Sequence, residues 1–160
     1  FFRTCLQALH GLGYQVVMIL SASTSKSDLG PIPDDFIVWS LATDGMAPQL
    51  DILPRASLFV MNGGMGGGRE AAWNSVPMVA IDTTFETYSI AERIAEQGAG
   101  IHVPPTVSAA QLRAAAVQVL SDPSYKANSA RIGAACREAG GAVRGADLIL
   151  AHARTHRAGA

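Results

Sequence analysis

Short apolar runs alternate with helix-forming segments along this chain, and few folds accommodate that order. Continuous runs of aliphatic, often β-branched residues are typical of strands that are buried on both faces of a parallel sheet. Such runs occupy residues 15–20, 36–39, 58–61, 78–81 and 100–103. Because right-handed crossovers place helices on both faces of such a sheet, the order predicts a doubly wound, Rossmann-like α/β fold with a parallel sheet.

Helical spacing of apolar residues, or enrichment in Ala, Arg and Glu, predicts helices around these strands. The predicted helices span residues 1–12, 88–97, 109–120, 123–139 and 143–156, and residues 21–33 are predicted to form a loop. A doubly wound domain usually opens with a strand in the middle of its sheet, whereas this chain opens with a helix. We therefore expect a fragment whose first strand lies upstream of Phe1.

Composition and charge exclude several classes of protein. Hydrophobic residues make up 49% of the 160 residues, which excludes a disordered chain and fits one domain. The net charge of −1 provides no clustered positive field for nucleic acid, and no apolar stretch approaches the roughly 18 residues of a membrane span. Cys5 and Cys136 form no disulfide or zinc pattern. We therefore expect a cytoplasmic protein with no nucleic-acid or membrane partner.

The most informative segment is a glycine-rich turn after the third predicted strand. It reads Asn62-Gly63-Gly64-Met65-Gly66-Gly67-Gly68-Arg69-Glu70 and leads into a predicted helix. Glycine lets the backbone approach a ligand closely, and a helix N-terminus offers unpaired amide donors, so the segment fits a phosphate site. The spacing matches neither a Walker A loop nor a dinucleotide fingerprint, and a tight packing turn remains the alternative. Glu70 could reach a ribose hydroxyl or simply favour the first turn of the helix.

Further motifs surround this turn in a fixed order. They are Met46-Ala47-Pro48-Gln49, Phe59-Val60-Met61-Asn62-Gly63-Gly64-Met65-Gly66, Gly68-Arg69-Glu70-Ala71 and Val76-Pro77-Met78-Val79. Together they resemble the donor-binding half of GT-B glycosyltransferases of the UDP-glycosyltransferase superfamily, especially the bacterial macrolide and antibiotic enzymes. The resemblance covers nearly the whole chain and implies the C-terminal half of a GT-B fold. Residues 1–160 would then form a nucleotide-sugar donor-binding domain beside an N-terminal acceptor-binding domain.

The resemblance also implies which side chains hold the nucleoside. The family usually has a Trp that stacks on the base, and Met46 replaces it here, whereas the following Gln49 is retained. Glu70 matches the glutamate that binds the ribose hydroxyls. We therefore expect weaker stacking on the base and an intact ribose contact.

The diphosphate and sugar positions depart further from the family pattern. The His beside the diphosphate becomes Asn62, and a Ser or Thr hydroxyl is lost at Gly67. The acid and glutamine that read sugar hydroxyls become Glu86 and Thr87, so the acid survives and the amide is lost. The remaining positions assigned to the donor site, through the backbone of the turn, are Gly63, Gly64, Met65 and Gly66.

The implied activity is transfer of a sugar, with inversion, from a UDP or TDP sugar to a hydroxyl of a small, natural-product acceptor. The general base of such enzymes commonly lies in the N-terminal domain, so we assign no catalytic residue and expect this fragment alone to be inactive. The histidines are interpreted as surface or partly buried residues: His10, His102, His152 and His156. No metal or other cofactor is expected, since fixed amides and the helix dipole would stabilise the leaving diphosphate. A homodimer is left open.

Two other functions also remain open. A non-catalytic helper domain would keep the fold but not the donor affinity, which is consistent with the replacements at Met46, Asn62 and Thr87. A nucleotide-sugar epimerase of the same fold would bind the donor but release or isomerise its sugar without an acceptor.

Overall fold

The computed structural model describes residues 1–157, so residues 158–160 of the predicted domain and the side chain of His156 lie outside the described residues. The strands are β1 (Val16–Leu20), β2 (Phe36–Ser40), β3 (Phe59–Met61), β4 (Met78–Ile81) and β5 (Gly100–Val103). The helices are α1 (Phe2–Leu9), α2 (Leu41–Asp44), α3 (Gln49–Ile52), α4 (Met65–Trp73), α5 (Phe85–Glu96), α6 (Ala109–Ser121), α7 (Pro123–Glu138) and α8 (Gly141–Arg157). Short 3-10 helices form at Lys26–Leu29 and Leu53–Arg55.

The strand pairings are parallel, as the apolar runs predict. β1 pairs with β2, from Val16 opposite Phe36 onward. β4 lies between β3 and β5 and pairs with both. Among the residues that the structure describes, these two sheets are not joined by strand pairing. The expected strand upstream of the chain stays a prediction.

β4 is the centre of the three-stranded sheet and is buried along its whole length. Because successive side chains of a strand point to opposite faces, its residues divide between two cores. Val79 and Ile81 belong to a cluster that includes side chains of α1, β1 and α6. Met78 and Ala80 belong to a second cluster with side chains of α4 and α5. The α/β prediction, with helices covering both faces of the sheet, is therefore confirmed.

The first cluster links the two sheets through α1 and α6. Cys5 and Leu6 of α1 pack with Leu112 of α6, all nearly inaccessible to solvent. Arg113 of α6 also donates from Nη1 to the carbonyl oxygens of Ala8 at 2.9 Å and His10 at 2.8 Å. The carbonyls at the end of a helix lack intrahelical partners, so this arginine both caps the end of α1 and attaches α1 to α6.

The C-terminal end of α4 is attached to α7 by close backbone packing. A Cβ at Gly133 of α7 would collide with the carbonyl oxygen of Ala72, so only glycine permits this approach. Ser129 Oγ donates to the carbonyl oxygen of Val76 at 2.8 Å. Arg137 donates from Nη1 to the carbonyl oxygen of Trp73 at 2.8 Å, and its guanidinium lies 5.4 Å from the centre of the Trp73 ring.

Two predicted helix boundaries are wrong by three residues, and one predicted loop contains a short helix. α1 ends at Leu9 instead of residue 12, since Gly11 adopts a φ of +71°, outside the helical region. α5 begins at Phe85 instead of residue 88, because the Thr84 side chain caps it. The predicted loop at residues 21–33 contains a one-turn 3-10 helix, which is stabilised by a capping box between Ser25 and Asp28.

Within residues 1–157, every helix is too short or too polar to cross a bilayer.

Candidate functional site

Three loops follow strands whose carboxyl ends define an edge of the parallel sheets. They are residues 45–48 after β2 and the one-turn α2, residues 62–64 after β3 and residues 82–84 after β4. Open α/β sheets bind ligands in the crevice outside the carboxyl ends of their strands. The predicted donor-binding residues fall on these loops and on the first two turns of the helices that follow them.

The turn after β3 leaves the N-terminus of α4 open. Gly64 is the N-cap residue, and no side chain among the described residues caps the helix. The amides of Met65, Gly66 and Gly67 precede the first intrahelical hydrogen bond, which runs from the Gly68 amide to the Gly64 carbonyl oxygen at 3.1 Å. These donors, together with the helix dipole, favour an anion at this end of α4.

The glycines of the turn are required for different reasons. Gly63 has a φ of +70°, a conformation that L side chains rarely adopt, and a Cβ there would lie 2.6 Å from the carbonyl oxygen of Thr87. A Cβ at Gly67 would lie 3.3 Å from the Phe59 ring. A Cβ at Gly66 would meet no atom within 4 Å. Gly63 therefore holds the turn against α5, whereas Gly66 faces open space.

Asn62 uses its side chain within the turn. Its Oδ1 accepts a hydrogen bond from the Gly64 amide at 3.4 Å. Within residues 1–157, its Nδ2 has no hydrogen-bond partner and remains a donor on an exposed side chain. This orientation is compatible with the predicted contact to a diphosphate, which stays a prediction.

Gln49 and Glu70, which the sequence separates by 21 residues, lie together in the structure. Nε2 of Gln49 donates to Oε2 of Glu70 at 2.6 Å, and both side chains are half-buried. α3 supplies Gln49, and α4 supplies Glu70 about one and a half turns below the open amides. A carboxylate has about four acceptor sites, so this bond leaves Glu70 able to accept further hydrogen bonds, as from ribose hydroxyls.

Met46 lies on the loop between α2 and α3, and 84% of its surface is exposed. Trp39 of β2 anchors this loop, because its Nε1 donates to the carbonyl oxygen of Gly45 at 3.0 Å. Sequence reasoning missed this role of Trp39, which appeared only as the last residue of a predicted strand. Met46 therefore stands on an anchored loop, with its thioether free for apolar contact.

Asp44, the last residue of α2, fixes the start of the same loop through hydrogen bonds. Its Oδ2 accepts hydrogen bonds from Lys26 Nζ at 2.7 Å and from the Ser40 amide at 2.9 Å. The Lys26 ammonium first, and then the Ser40 amide and the Thr43 hydroxyl, lower the pKa of Asp44 from 3.8 to about 2. The sequence analysis did not single out this residue.

The first turn of α5, which follows the loop after β4, carries Glu86 and Thr87, and the two side chains differ in their environments. Glu86 is exposed in the first turn of α5. The Thr87 hydroxyl accepts hydrogen bonds from the amides of Thr83 at 2.9 Å and Thr84 at 2.8 Å. It also lies 3.0 Å from the Thr84 carbonyl oxygen, to which it donates. Thr87 therefore has a capping role, and its predicted contact with a sugar hydroxyl stays a prediction.

Metal ligands and candidate bases are sparse near this edge. Across residues 1–157, no three His, Cys, Asp or Glu side chains are grouped so that they could hold a metal ion. His10 pairs with Asp35 at 2.8 Å beside the amino ends of β1 and β2. His102 pairs with Asp82 at 3.0 Å. Neither histidine lies on the glycine turn, and we assign no catalytic residue to the described part of the chain.

The chain matches a known protein family over most of its length. Residues 3–139 match the family described as the erythromycin biosynthesis protein CIII-like, C-terminal domain. This match includes every residue that the sequence analysis placed in the donor site.

Individual relatives agree with the family match. The chain is 32% identical to the uncharacterized UDP-glucosyltransferase YojK of Bacillus subtilis, over 94% of this chain and 36% of that protein. It is also 32% identical to the oleandomycin glycosyltransferase of Streptomyces antibioticus, over 94% of this chain and 34% of that protein. The solved structure of the glycotransferase of kitacinnamycin superposes with a TM-score of 0.82 at 31% identity, over 92% of this chain and 38% of that one. The chain thus spans little more than a third of the length of these relatives.

Proposed function

The chain belongs to the family of erythromycin biosynthesis protein CIII-like C-terminal domains, and we propose that it binds the nucleotide-sugar donor of a glycosyltransferase. The reaction would transfer the sugar from a nucleoside diphosphate to a hydroxyl of a small natural product. The relatives named as a UDP-glucosyltransferase and as the oleandomycin glycosyltransferase support this donor and this acceptor class.

One observation carries the proposal: a free helix N-terminus and a paired carboxylate lie on the same short helix. The open amides at Met65, Gly66 and Gly67 fit a diphosphate. Glu70, held by Gln49, lies on the same helix and keeps acceptor sites that fit the ribose hydroxyls. A turn required only for packing would need neither the uncapped amides nor the half-buried acid.

The chemistry would be a single displacement with inversion. The acceptor oxygen forms a bond to the anomeric carbon while the bond from that carbon to the diphosphate oxygen breaks, and the acceptor proton passes to a base that we do not assign to this chain. Negative charge builds on the departing diphosphate. Preorganised amides at the start of α4, together with its dipole, would stabilise that charge, and the proposal invokes no metal ion.

Titration calorimetry of the complete protein with UDP and with TDP tests the proposal. We expect binding of at least one of them. Glu70→Gln should weaken that binding about 10- to 100-fold, since a hydrogen bond to a charged group contributes about 1.5–3 kcal/mol. The remaining amide oxygen of the variant would be shared between Gln49 and the ribose.

Glu138→Gln is the matched control, because Glu138 is an exposed carboxylate at the end of α7, away from the site. It should bind the nucleotide as the wild type does. Absence of binding to both nucleotides by a folded wild type would defeat the proposal. It would instead favour a non-catalytic helper domain, a second candidate that the internal bonding of Thr87 and the exposed Met46 keep open.

A further inference from the structure

A histidine–aspartate pair lies at the start of the loop that leads into α5, the helix that carries Glu86, and the proposed function does not use this pair. Asp82 follows β4 directly, and His102 lies on β5 opposite Ala80. His102 Nε2 and Asp82 Oδ1 are 3.0 Å apart, and the side chains are only 21% and 20% exposed. The pair thus bridges the end of one strand to its neighbour at the edge where the site lies.

Tyr88 connects this pair to α5. Its ring packs edge-on against the His102 ring, with centroids 5.2 Å apart and planes inclined by 79°. Its hydroxyl donates to Glu92 Oε1 at 3.3 Å. The charge of Glu92, its hydrogen bond with the hydroxyl and, more weakly, the charge of Asp82 raise the pKa of Tyr88 above its ordinary value. β4, β5 and α5 therefore meet at His102.

The other end of the loop is fixed independently. The Thr87 hydroxyl ties back the amides of Thr83 and Thr84, and the Thr87 carbonyl oxygen packs against Gly63 of the glycine turn. Phe85 and Glu86, both exposed, lie in the first turn of α5, between the two threonines of the capping box. This turn is held by the capping box and by the contact of Tyr88 with His102, so the position of Glu86 depends on both.

We propose that Asp82 and His102 form a positioning pair that places Glu86 against the sugar of the bound donor. The inference rests on the proposed function and extends it: the nucleoside diphosphate is held by α4 and Gln49, whereas the hold on the sugar depends on this pair. His102 and Asp82 are positioning residues and touch no reacting atom. Their loss should weaken the nucleotide sugar more than the free nucleotide.

The test compares two dissociation constants in the complete protein. They are measured by calorimetry for UDP-glucose and UDP, or for TDP-glucose and TDP, whichever pair the wild type binds. His102→Ala should raise the ratio of the nucleotide-sugar constant to the nucleotide constant about tenfold, as expected for one lost hydrogen bond to a charged group. His102→Gln, which keeps a donor near Nε2, should restore most of the difference.

A matched control comes from the other histidine–aspartate pair. His10→Ala removes the 2.8 Å contact with Asp35 beside the amino ends of β1 and β2 and should leave the ratio unchanged. Asp82→Asn, which preserves size, should change the ratio as His102→Ala does, and it carries the test if His102→Ala does not fold.

The outcomes separate the two proposals. If the wild type binds neither nucleotide, the proposed function fails and this inference fails with it. If the wild type binds but the His102 and Asp82 variants lose stability while the ratio stays at its wild-type value, only the positioning role is overturned. Equal weakening of the nucleotide and the nucleotide sugar would overturn it as well.

Discussion

The turn after β3 contacts the loop after β4 and the start of α5, but the backbone amides of the two regions differ. Those at the start of α4 lack a capping side chain, whereas those before α5 are hydrogen-bonded to side chains. The loop satisfies its own amides through the hydroxyls of Thr84 and Thr87. A helix start that is left open can receive an anion, whereas a start that is closed by its own side chains can only present a side chain to a ligand.

Residue type explains the difference. Glycines have no side chain with which to cap a helix, and Gly66 faces open space beside the free amides. Threonine hydroxyls cap well and fix the backbone before α5. The contact between Gly63 and the Thr87 carbonyl oxygen then holds the open start beside the closed one. Changes on either side can break or sharpen this contrast.

The largest effect is expected for Gly63→Ala. Alanine in the left-handed conformation costs about 1–2 kcal/mol, and its Cβ would lie 2.6 Å from the Thr87 carbonyl oxygen, so the turn and the loop must separate. We expect a loss of unfolding free energy of at least about 1–2 kcal/mol by urea denaturation, together with loss of nucleotide binding.

Gly66→Ala is the control for stability. Its Cβ meets no protein atom within 4 Å, and alanine favours a helix by up to about 1 kcal/mol over glycine. This variant should therefore be as stable as the wild type or slightly more stable. Equal destabilisation by both substitutions would contradict the close contact at Gly63.

A smaller effect is expected for Thr87→Val, which keeps the shape but removes the hydroxyl. Loss of the cap should lower the unfolding free energy by about 0.5–2 kcal/mol, measured by urea denaturation. Thr83→Val is the matched control, because Thr83 contributes only its backbone amide to the cap, and it should change stability by less than about 0.5 kcal/mol. If Thr87→Val weakened sugar binding at unchanged stability, a direct contact with the ligand would replace the capping role.

The smallest effect is expected on the pKa of Asp44, whose carboxylate fixes the start of the loop after β2. The pKa of Asp44 is lowered from 3.8 to about 2, so this carboxylate favours the folded state above about pH 4 and loses that contribution as the pH falls toward 2. The carboxyl carbon resonance of Asp44 should titrate with a midpoint near pH 2. Lys26→Met should move the midpoint toward 3.8, because the Lys26 ammonium is the main cause of the shift.

Lys126→Met, on the exposed surface of α7, serves as the control for the loss of one positive charge. It should leave the Asp44 midpoint near 2. A wild-type midpoint near the ordinary value of 3.8 would contradict the hydrogen bonds of Asp44 with Lys26 and Ser40.

The fold was largely predictable from the sequence, because buried parallel strands are continuous apolar runs. β4 and β5 begin and end where the runs predict. The start of α5 was missed, since Thr84 and Thr87 form a capping box without the usual Glu or Gln at its third position. The 3-10 helix after Ser25 was missed because it is a single turn, too short for any apolar periodicity.

The site was predictable in part. The glycine turn predicts open amides by itself, and the resemblance supplied Gln49 and Glu70, but only the fold brings those two side chains to 2.6 Å. The pairing of Asp82 with His102 depends on the register of β4 and β5, which no local pattern encodes. The bonding of the Thr87 hydroxyl likewise depends on how the chain enters α5.

The packing of α7 against the far end of α4 has a consequence for how the site can evolve. α4 has nine residues and is therefore only about 13 Å long, so it moves as a rigid rod. The glycine at position 133 and the arginine at position 137 fix the carboxyl end of that rod. A substitution at this joint would shift the anion-binding end without touching a ligand, so a lineage could retune donor affinity through residues at the far end of α4.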